Sequence, residues 1–303
     1  MIKKPMLASA LSLEDKDEAS LLRFPMFASI KLDGIRAITR DGKLLSRTLK
    51  EIPNEAIQDK CSSLPNGLDG EIIIEGKSFS DITSIVMSIK EKEIHGFKFY
   101  IFDYVKESPN KPYSERLQDL LELKSKGQLP EDICIILDQH VMSSIEDIRL
   151  FESKAADEGH EGIMLRRADS PYKYGRSTLK ESYLLKVKRF DYSEAVILDI
   201  EEMMNNFNPP ELDLLGNTKR SSSKSGLVPA NIMGALVVKD IKSGVIFRIG
   251  SGFDKEMRDK IWGNKQTYIG KTLRYHFQSV GVKSSPRIPV FSGFRDERDM
   301  GDP

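Results

Sequence analysis

The stretch Lys31-Leu32-Asp33-Gly34-Ile35-Arg36 places a lysine amine, a carboxylate, a chain-turning glycine and a phosphate-seeking arginine in one hexapeptide. A lysine attacks an electrophile only as the free amine, and its ordinary pKa is about 10.4. A nucleophilic lysine therefore needs desolvation or nearby cations to lower that value. If Lys31 is such a nucleophile, the rest of the chain must bring positive charge to it. The apolar runs Phe27–Lys31 and Arg36–Thr39 flank the hexapeptide, so it joins two expected strands.

Working outward, similar short runs recur at Gly70–Ile74, Lys98–Tyr104, Cys134–His140, Gly162–Arg166 and Tyr183–Lys188, each bounded by Gly, Asp or Pro. Two helices lie among them. Ser143-x-x-Glu146 has capping-box form and opens a helix through Ala156, with Ile145, Ile148 and Phe151 on one side and Gly159 ending it. Ser114 opens another, with Leu117, Leu120 and Leu121 at core spacing and Gly127 closing it. This is an α+β or mixed α/β pattern. From Tyr192 onward helix signals thin out, and strands are expected at Ala195–Ile200, Ala235–Lys239, Val245–Ile249 and Thr272–Phe277. A small β-barrel is the natural reading of that half. The expected division is residues 1–189 and 190–303.

Length and composition agree with two folded domains. The 303 residues exceed the usual span of one core. With 39% hydrophobic and 30% charged residues the chain reads as globular, and no run approaches a membrane span. The N-terminus lacks the apolar core of a secretory signal, so a cytoplasmic setting and no membrane partner are expected. Cys61 and Cys134 are too few for a four-cysteine zinc site and fit reduced structural thiols. Lys plus Arg equals Asp plus Glu, so the net charge is zero and any polyanion must be held by local patches. One such patch is Thr218–Gly226, where Lys219, Arg220 and Lys224 stand among serines and glycines, with no acidic residue between Asp213 and Asp240. It reads as a mobile basic loop.

Each remaining candidate has a structural and a functional reading. Asp69-Gly70-Glu71 is an Asp-Gly turn entering a strand, or it sets Glu71 against a ribose hydroxyl or a metal-bound water. Phe102-Asp103 is core, or Phe102 offers a ring face to a nucleobase. Glu161 stands at the mouth of the strand Gly162–Arg166, where a carboxylate suits Mg²⁺ together with phosphate oxygens. In Leu184-Leu185-Lys186-Val187-Lys188, strand alternation puts Lys186 and Lys188 on one face, about 7 Å apart. They are solvated surface lysines, or the cations that Lys31 requires.

Taken in order, Lys31-x-Asp33-Gly34-x-Arg36, Ser46-Arg47, Asp69-Gly70-Glu71, Phe102-Asp103, Glu161-Gly162-Ile163-Met164 and Lys186-Val187-Lys188 resemble the motifs of covalent nucleotidyltransferases. With Pro5-Met6-Leu7-Ala8, Glu161–Arg166 and Pro286–Phe291 followed by Arg295, the set more narrowly resembles ATP-dependent DNA ligases of the short phage type. The resemblance implies an α+β, ATP-grasp-like nucleotidyltransferase (adenylation) domain followed by a C-terminal OB-fold. It implies that Lys31 takes AMP from ATP and that the AMP passes to the 5′-phosphate of nicked double-stranded DNA, after which the 3′-hydroxyl seals the strand. It assigns Arg36 and Glu71 to the sugar, Phe102 to adenine, Glu161 to Mg²⁺ (or Mn²⁺), Lys186 and Lys188 to the α-phosphate, and Arg47 to the nick phosphate. Arg295 would orient the leaving pyrophosphate. The family commonly ends in Arg-x-Asp-Lys, whereas this chain reads Arg295-Asp296-Glu297-Arg298, which puts a planar guanidinium where a lysine is usual. The basic loop with Lys219, Arg220 and Lys224 would bind DNA phosphates, its structural reading being a solvated loop; a monomer suits such a grip. The rivals are an mRNA-capping guanylyltransferase, an RNA ligase and a non-catalytic nick-binding module; Glu161–Arg166 and Pro286–Phe291 favour DNA ligation.

Overall fold

The computed structural model of the chain describes residues 2–89, 94–106, 108–188, 190–278 and 285–295. The chain divides into two units, Met1–Lys188 with Leu212–Lys219, and Arg189–Glu211 with Arg220–Pro303. Among the described residues no helix is long and apolar enough to cross a membrane.

The first unit rests on two five-stranded sheets. One has the order Ser9–Ala10, Leu184–Lys188, Gly162–Arg167, Met26–Ile30, His140–Met142. The other runs Lys43–Ser46, Ile35–Arg40, Leu68–Ile74, Phe97–Tyr104, Cys134–Ile136. The hexapeptide leaves the end of Met26–Ile30 and enters Ile35–Arg40, so it is the crossing from one sheet to the other. Gly34 is required there: a Cβ would stand 2.2 Å from the Ile72 carbonyl oxygen. The hairpin that follows turns at Asp41 and Gly42, both at positive φ (51° and 70°), the backbone that two-residue hairpin loops favour.

The helices Glu55–Cys61, Phe79–Val86 and Tyr113–Ser125 send Ile57, Ile82, Val86, Leu120 and Leu123 into one core with Phe99, Ile101 and Ile72 of the second sheet. The helix Ile145–Asp157 buries Ile148 and Ala155 against Ile163 and Leu165 of the first. Each buried Ile, Val, Leu or Phe among these contributes about 1.5–3 kcal/mol on full burial, which is what keeps short helices on the sheets.

Several sequence expectations need correction. The capping box is Ser144 with Asp147, one residue later than Ser143 with Glu146, and Ser143 instead donates its N–H to Asp147. The helix expected from Ser114 starts at Tyr113 after Pro112, without a side-chain cap, and Leu121 is exposed. The run Cys134–His140 is two strands in different sheets, Cys134–Ile136 and His140–Met142. Asp69-Gly70 is strand interior rather than a turn: the pairing with Phe97–Tyr104 shifts register between Asp69 and Gly70. A Cβ on Gly70 would meet the Tyr100 carbonyl oxygen at 2.4 Å and the Phe99 ring at 2.7 Å, so glycine there serves close packing.

In the second unit one sheet has the order Ile246–Ile249, Leu227–Asp240, Asp191–Asn206, Thr272–Gln278, Arg287–Phe294. Its edges are joined by a bridge between Ser251 and Val290, and Phe291 N–H donates to the Ser251 carbonyl at 3.0 Å. This is the OB-like arrangement expected, and irregularities in the pairing of Asp191–Asn206 with Leu227–Asp240 let the long strands bend. Its core gathers Ile197, Leu236, Val238, Ile249, Leu273 and Tyr275. The helix Lys255–Gly263, capped by Asp254, was not expected: it is polar, and Ile261 is its one buried residue. Nor is Thr218–Gly226 a plain loop, since it holds the short strand Thr218–Arg220 and a 3₁₀ turn at Lys224–Gly226.

Candidate active site

Three neighbouring strand ends build the centre of the site. Ile163 stands opposite Ile30 on one side and Val187 on the other, and Gly162 stands opposite Lys188. Lys31 N–H donates to the Gly162 carbonyl at 2.8 Å. Lys31, Glu161 and Lys188 therefore leave the sheet at one edge. The Lys31 amine donates to Glu161 Oε2 and the Lys188 amine to Glu161 Oε1, both in short ion pairs. The carboxylate is 4% exposed, and the two lysines 20% and 18%. Burial opposes ionisation of Glu161, but the hydrogen bonds from Lys188 and Lys31 hold it below the usual carboxylate range. Gly162 makes the close approach feasible: its φ is +155°, and a Cβ would lie 2.1 Å from the Val187 carbonyl oxygen.

One step into the sheet, Ser29, Met164 and Lys186 are cross-strand partners, and all three line a cavity of about 270 Å³. Burial pushes the Lys186 amine down from its ordinary value, and Lys188, Lys31 and Arg176 push it further. Lys186 and Lys188 thus share the pocket edge with Lys31, whose amine is held by the Glu161 carboxylate.

The second sheet supplies the opposite wall. Arg36 and Glu71 are cross-strand partners. Arg36 grips Asp69 with two bonds, Nε to Oδ1 at 2.8 Å and Nη2 to Oδ2 at 2.6 Å, and the Tyr172 hydroxyl donates to the same Oδ2 at 2.5 Å. Burial disfavours the Arg36 cation, yet Asp69 more than compensates. Burial raises Glu71 to about 7 against the pull of Arg36 and Lys31. Phe102 faces the cavity with Arg36 5.1 Å and Arg166 5.8 Å from its ring centre. Behind it, fully buried Asp103 receives Nε of Arg116 at 2.8 Å, Nη2 at 3.0 Å and a short bond from Arg166. Burial opposes that charge as well, and Arg116 and Arg166 hold Asp103 below the usual range.

Of the residues singled out in the sequence, Lys31, Arg36, Arg47, Glu71, Phe102 and Lys186 line this cavity, Glu161 pairs with Lys31, and Lys188 pairs with the other oxygen of Glu161. Arg295 lies in the second unit, where its Nε donates to Glu194 Oε1 at 2.6 Å. Lys219 falls in the first unit, and Arg220 and Lys224 in the second. Arg298 lies outside the described residues. Sequence reading missed Asp69 and Tyr172 as the clamp on Arg36, Arg116 and Arg166 as the partners of Asp103, and Arg176 as a cavity cation. Asp69 was adjacent to a recognised motif, but Tyr172 lies 103 positions from it, and no local pattern announces that partnership.

A cavity at the crossing of two sheets, lined by Lys31, Arg36, Lys186 and Arg166 and followed along the chain by an OB-like sheet, is the architecture of a nucleotidyltransferase. Residues 5–188 match the ATP dependent DNA ligase domain, and residues 228–295 match the DNA ligase OB-like domain. The chain belongs to the ATP-dependent DNA ligases, enzymes that seal nicks in DNA. It is 25% identical over 266 residues to a DNA ligase of Haemophilus influenzae, covering 87% of this chain and 84% of that one. The crystal structure of Chlorella virus DNA ligase-adenylate is 36% identical with a TM-score of 0.58, covering 99% of this chain and 100% of that one. A structure of a Lig E DNA ligase is 26% identical with a TM-score of 0.71, covering 97% and 100%.

Proposed function

We propose that Lys31 is the nucleophile of this ligase and that the residues around it divide the work of nucleotide transfer. The Lys31 nitrogen attacks the α-phosphorus of ATP; a nitrogen–phosphorus bond forms as the bond to pyrophosphate breaks. Lys186 and Lys188 hold the α-phosphate and stabilise the charge that develops on it. Arg36, fixed by Asp69 and Tyr172, and Glu71 bind the sugar, and Phe102 packs on adenine. The observation that carries this reading is the meeting of Lys31, Glu161 and Lys188 at one sheet edge beside the cavity.

ATP is the substrate, and a divalent ion, Mg²⁺ or Mn²⁺, is its expected companion. Among the described residues no cluster of three His, Cys, Asp or Glu groups could hold a metal alone. The donor set still fits Mg²⁺, which is commonly held by one or two carboxylates with substrate phosphates. Glu161 would hold it, and the ion would neutralise phosphate charge. AMP then moves from Lys31 to the 5′-phosphate of a nick held by Arg47, and the 3′-hydroxyl displaces it. Arg295 contacts the leaving pyrophosphate, giving up Glu194 to do so. Lys219, Arg220 and Lys224 bind the backbone of nicked duplex DNA. In this reading residues 1–189 are the adenylation domain, residues 190–303 are the OB-fold domain, and the protein works as a cytoplasmic monomer. Free, buried Cys61 and Cys134 accord with a reducing compartment.

The test is incubation with labelled ATP or GTP, followed by sealing of a nicked duplex. ATP alone should yield labelled protein, and Lys31→Ala should abolish both labelling and sealing. Labelling from GTP, or sealing by Lys31→Ala, would overturn the assignment.

A further inference from the structure

The basic segment of the second unit is locked by a buried asparagine. Asn208 is 7% exposed, and its side-chain nitrogen lies 2.9 Å from Asn206 Oδ1, the Ser221 carbonyl and the Ser223 carbonyl. Its backbone N–H donates to the same Asn206 Oδ1 at 3.0 Å, and Asn206 Nδ2 donates to the Ser221 carbonyl at 2.9 Å. Arg220 Nη1 donates to the Asn208 carbonyl in a short bond. Phe207 N–H closes the far side on the Gly226 carbonyl at 2.8 Å. Gly226 leaves room for all this, since a Cβ there would stand 2.2 Å from Asn208 Oδ1.

Serine- and glycine-rich sequence of this kind would otherwise sample many conformations, and ordering them on a ligand weakens binding. Here the Asn208 amide, which reaches Ser223 and is joined by Asn206 at Ser221, ties the turn 221–223 to the strand that precedes it, while the side chains of Arg220 and Lys224 stay at the surface. We propose that Asn208 is a positioning residue for DNA binding: it pre-forms the basic turn so that Arg220 and Lys224 meet phosphates without a folding cost. This rests on the reading of Lys219, Arg220 and Lys224 as DNA contacts. The ligand is a duplex phosphate backbone carrying a nick, bound without regard to sequence.

The experiment is a double-mutant cycle on binding to a nicked duplex, using protein adenylated to equal extent in every sample. Asn208→Ala and Gly226→Ala should each weaken binding about tenfold, as expected if the binding-competent turn falls to roughly a tenth of the population. In a chain already carrying Lys219→Ala, Arg220→Ala and Lys224→Ala, the same changes should add little, because nothing remains to be positioned. Trypsin should cut after Arg220 and Lys224 faster in Asn208→Ala than in the parent. Equal losses in both backgrounds would mean a general structural role and would sink the proposal, as would unchanged binding or unchanged cleavage. If the triple alanine chain itself binds as the parent does, the DNA role of the segment fails and the proposal with it. If no protein becomes adenylated, the ligase mechanism is at fault instead.

Discussion

Glu71 shows how a single buried carboxyl ties the site to pH. Its folded value is about 7, against an ordinary 4.5, because burial disfavours its charge. Between those values the folded protein holds a proton that the unfolded chain has released, so stability falls as pH rises through the window and levels off above it. Glu71→Gln should remove this slope, and comparing denaturant midpoints of parent and variant at about pH 5 and about pH 8 measures it. An identical slope in the variant would show that Glu71 does not carry the effect. Lys31, Glu161 and Lys188 were legible in the sequence because each stands at a strand end marked by glycine or alternation. Tyr172 and Arg116 were not, since their partners are fixed by tertiary packing rather than by neighbours in the chain.

Among the elements, the strands were readable as apolar runs between Gly, Asp and Pro, and the two-sheet crossing follows from Gly34. The short helices Glu55–Cys61 and Phe79–Val86 escaped notice although Asn54 and the Ser78–Asp81 box cap them, for at 7 and 8 residues they fall short of the window over which helical periodicity is read. The polar helix Lys255–Gly263 escaped for the opposite reason, having almost no apolar face to see. Gly162 is the point where element geometry controls chemistry. Gly162→Ala drives a Cβ into the Val187 carbonyl oxygen, which must push Leu184–Lys188 away and separate Lys188 from Glu161. A displacement of about 1 Å can cost on the order of a hundredfold in rate, so the AMP-transfer rate at saturating ATP should drop by that order. A parental rate would show that the strand spacing is irrelevant to transfer.

At the scale of the whole molecule, balanced charge means that no net charge draws DNA in, and binding depends on local basic contacts. Affinity for nicked duplex should therefore fall on the order of a hundredfold or more between about 50 and about 200 mM salt, as several phosphate contacts require. Self-adenylation should change little over that range. Parallel filter-binding and labelling titrations compare the two, and equal salt responses would argue against phosphate contacts as the main grip. The division of the chain was legible only in part: the change from mixed to β-rich pattern marks the second unit, but Leu212–Lys219 belongs with the first. Leu215 explains why, since it packs on the first unit's core and its carbonyl accepts from Ser46 and Thr48. The ion pair of Lys31 with Glu161 reaches this scale too. In the mechanism proposed above, loading Lys31 with AMP adds a phosphate anion and leaves Glu161 to Lys188 alone. For a chain whose formal charge sums to zero, that change moves the isoelectric point to the acidic side, so electrophoretic mobility alone separates charged enzyme from idle enzyme.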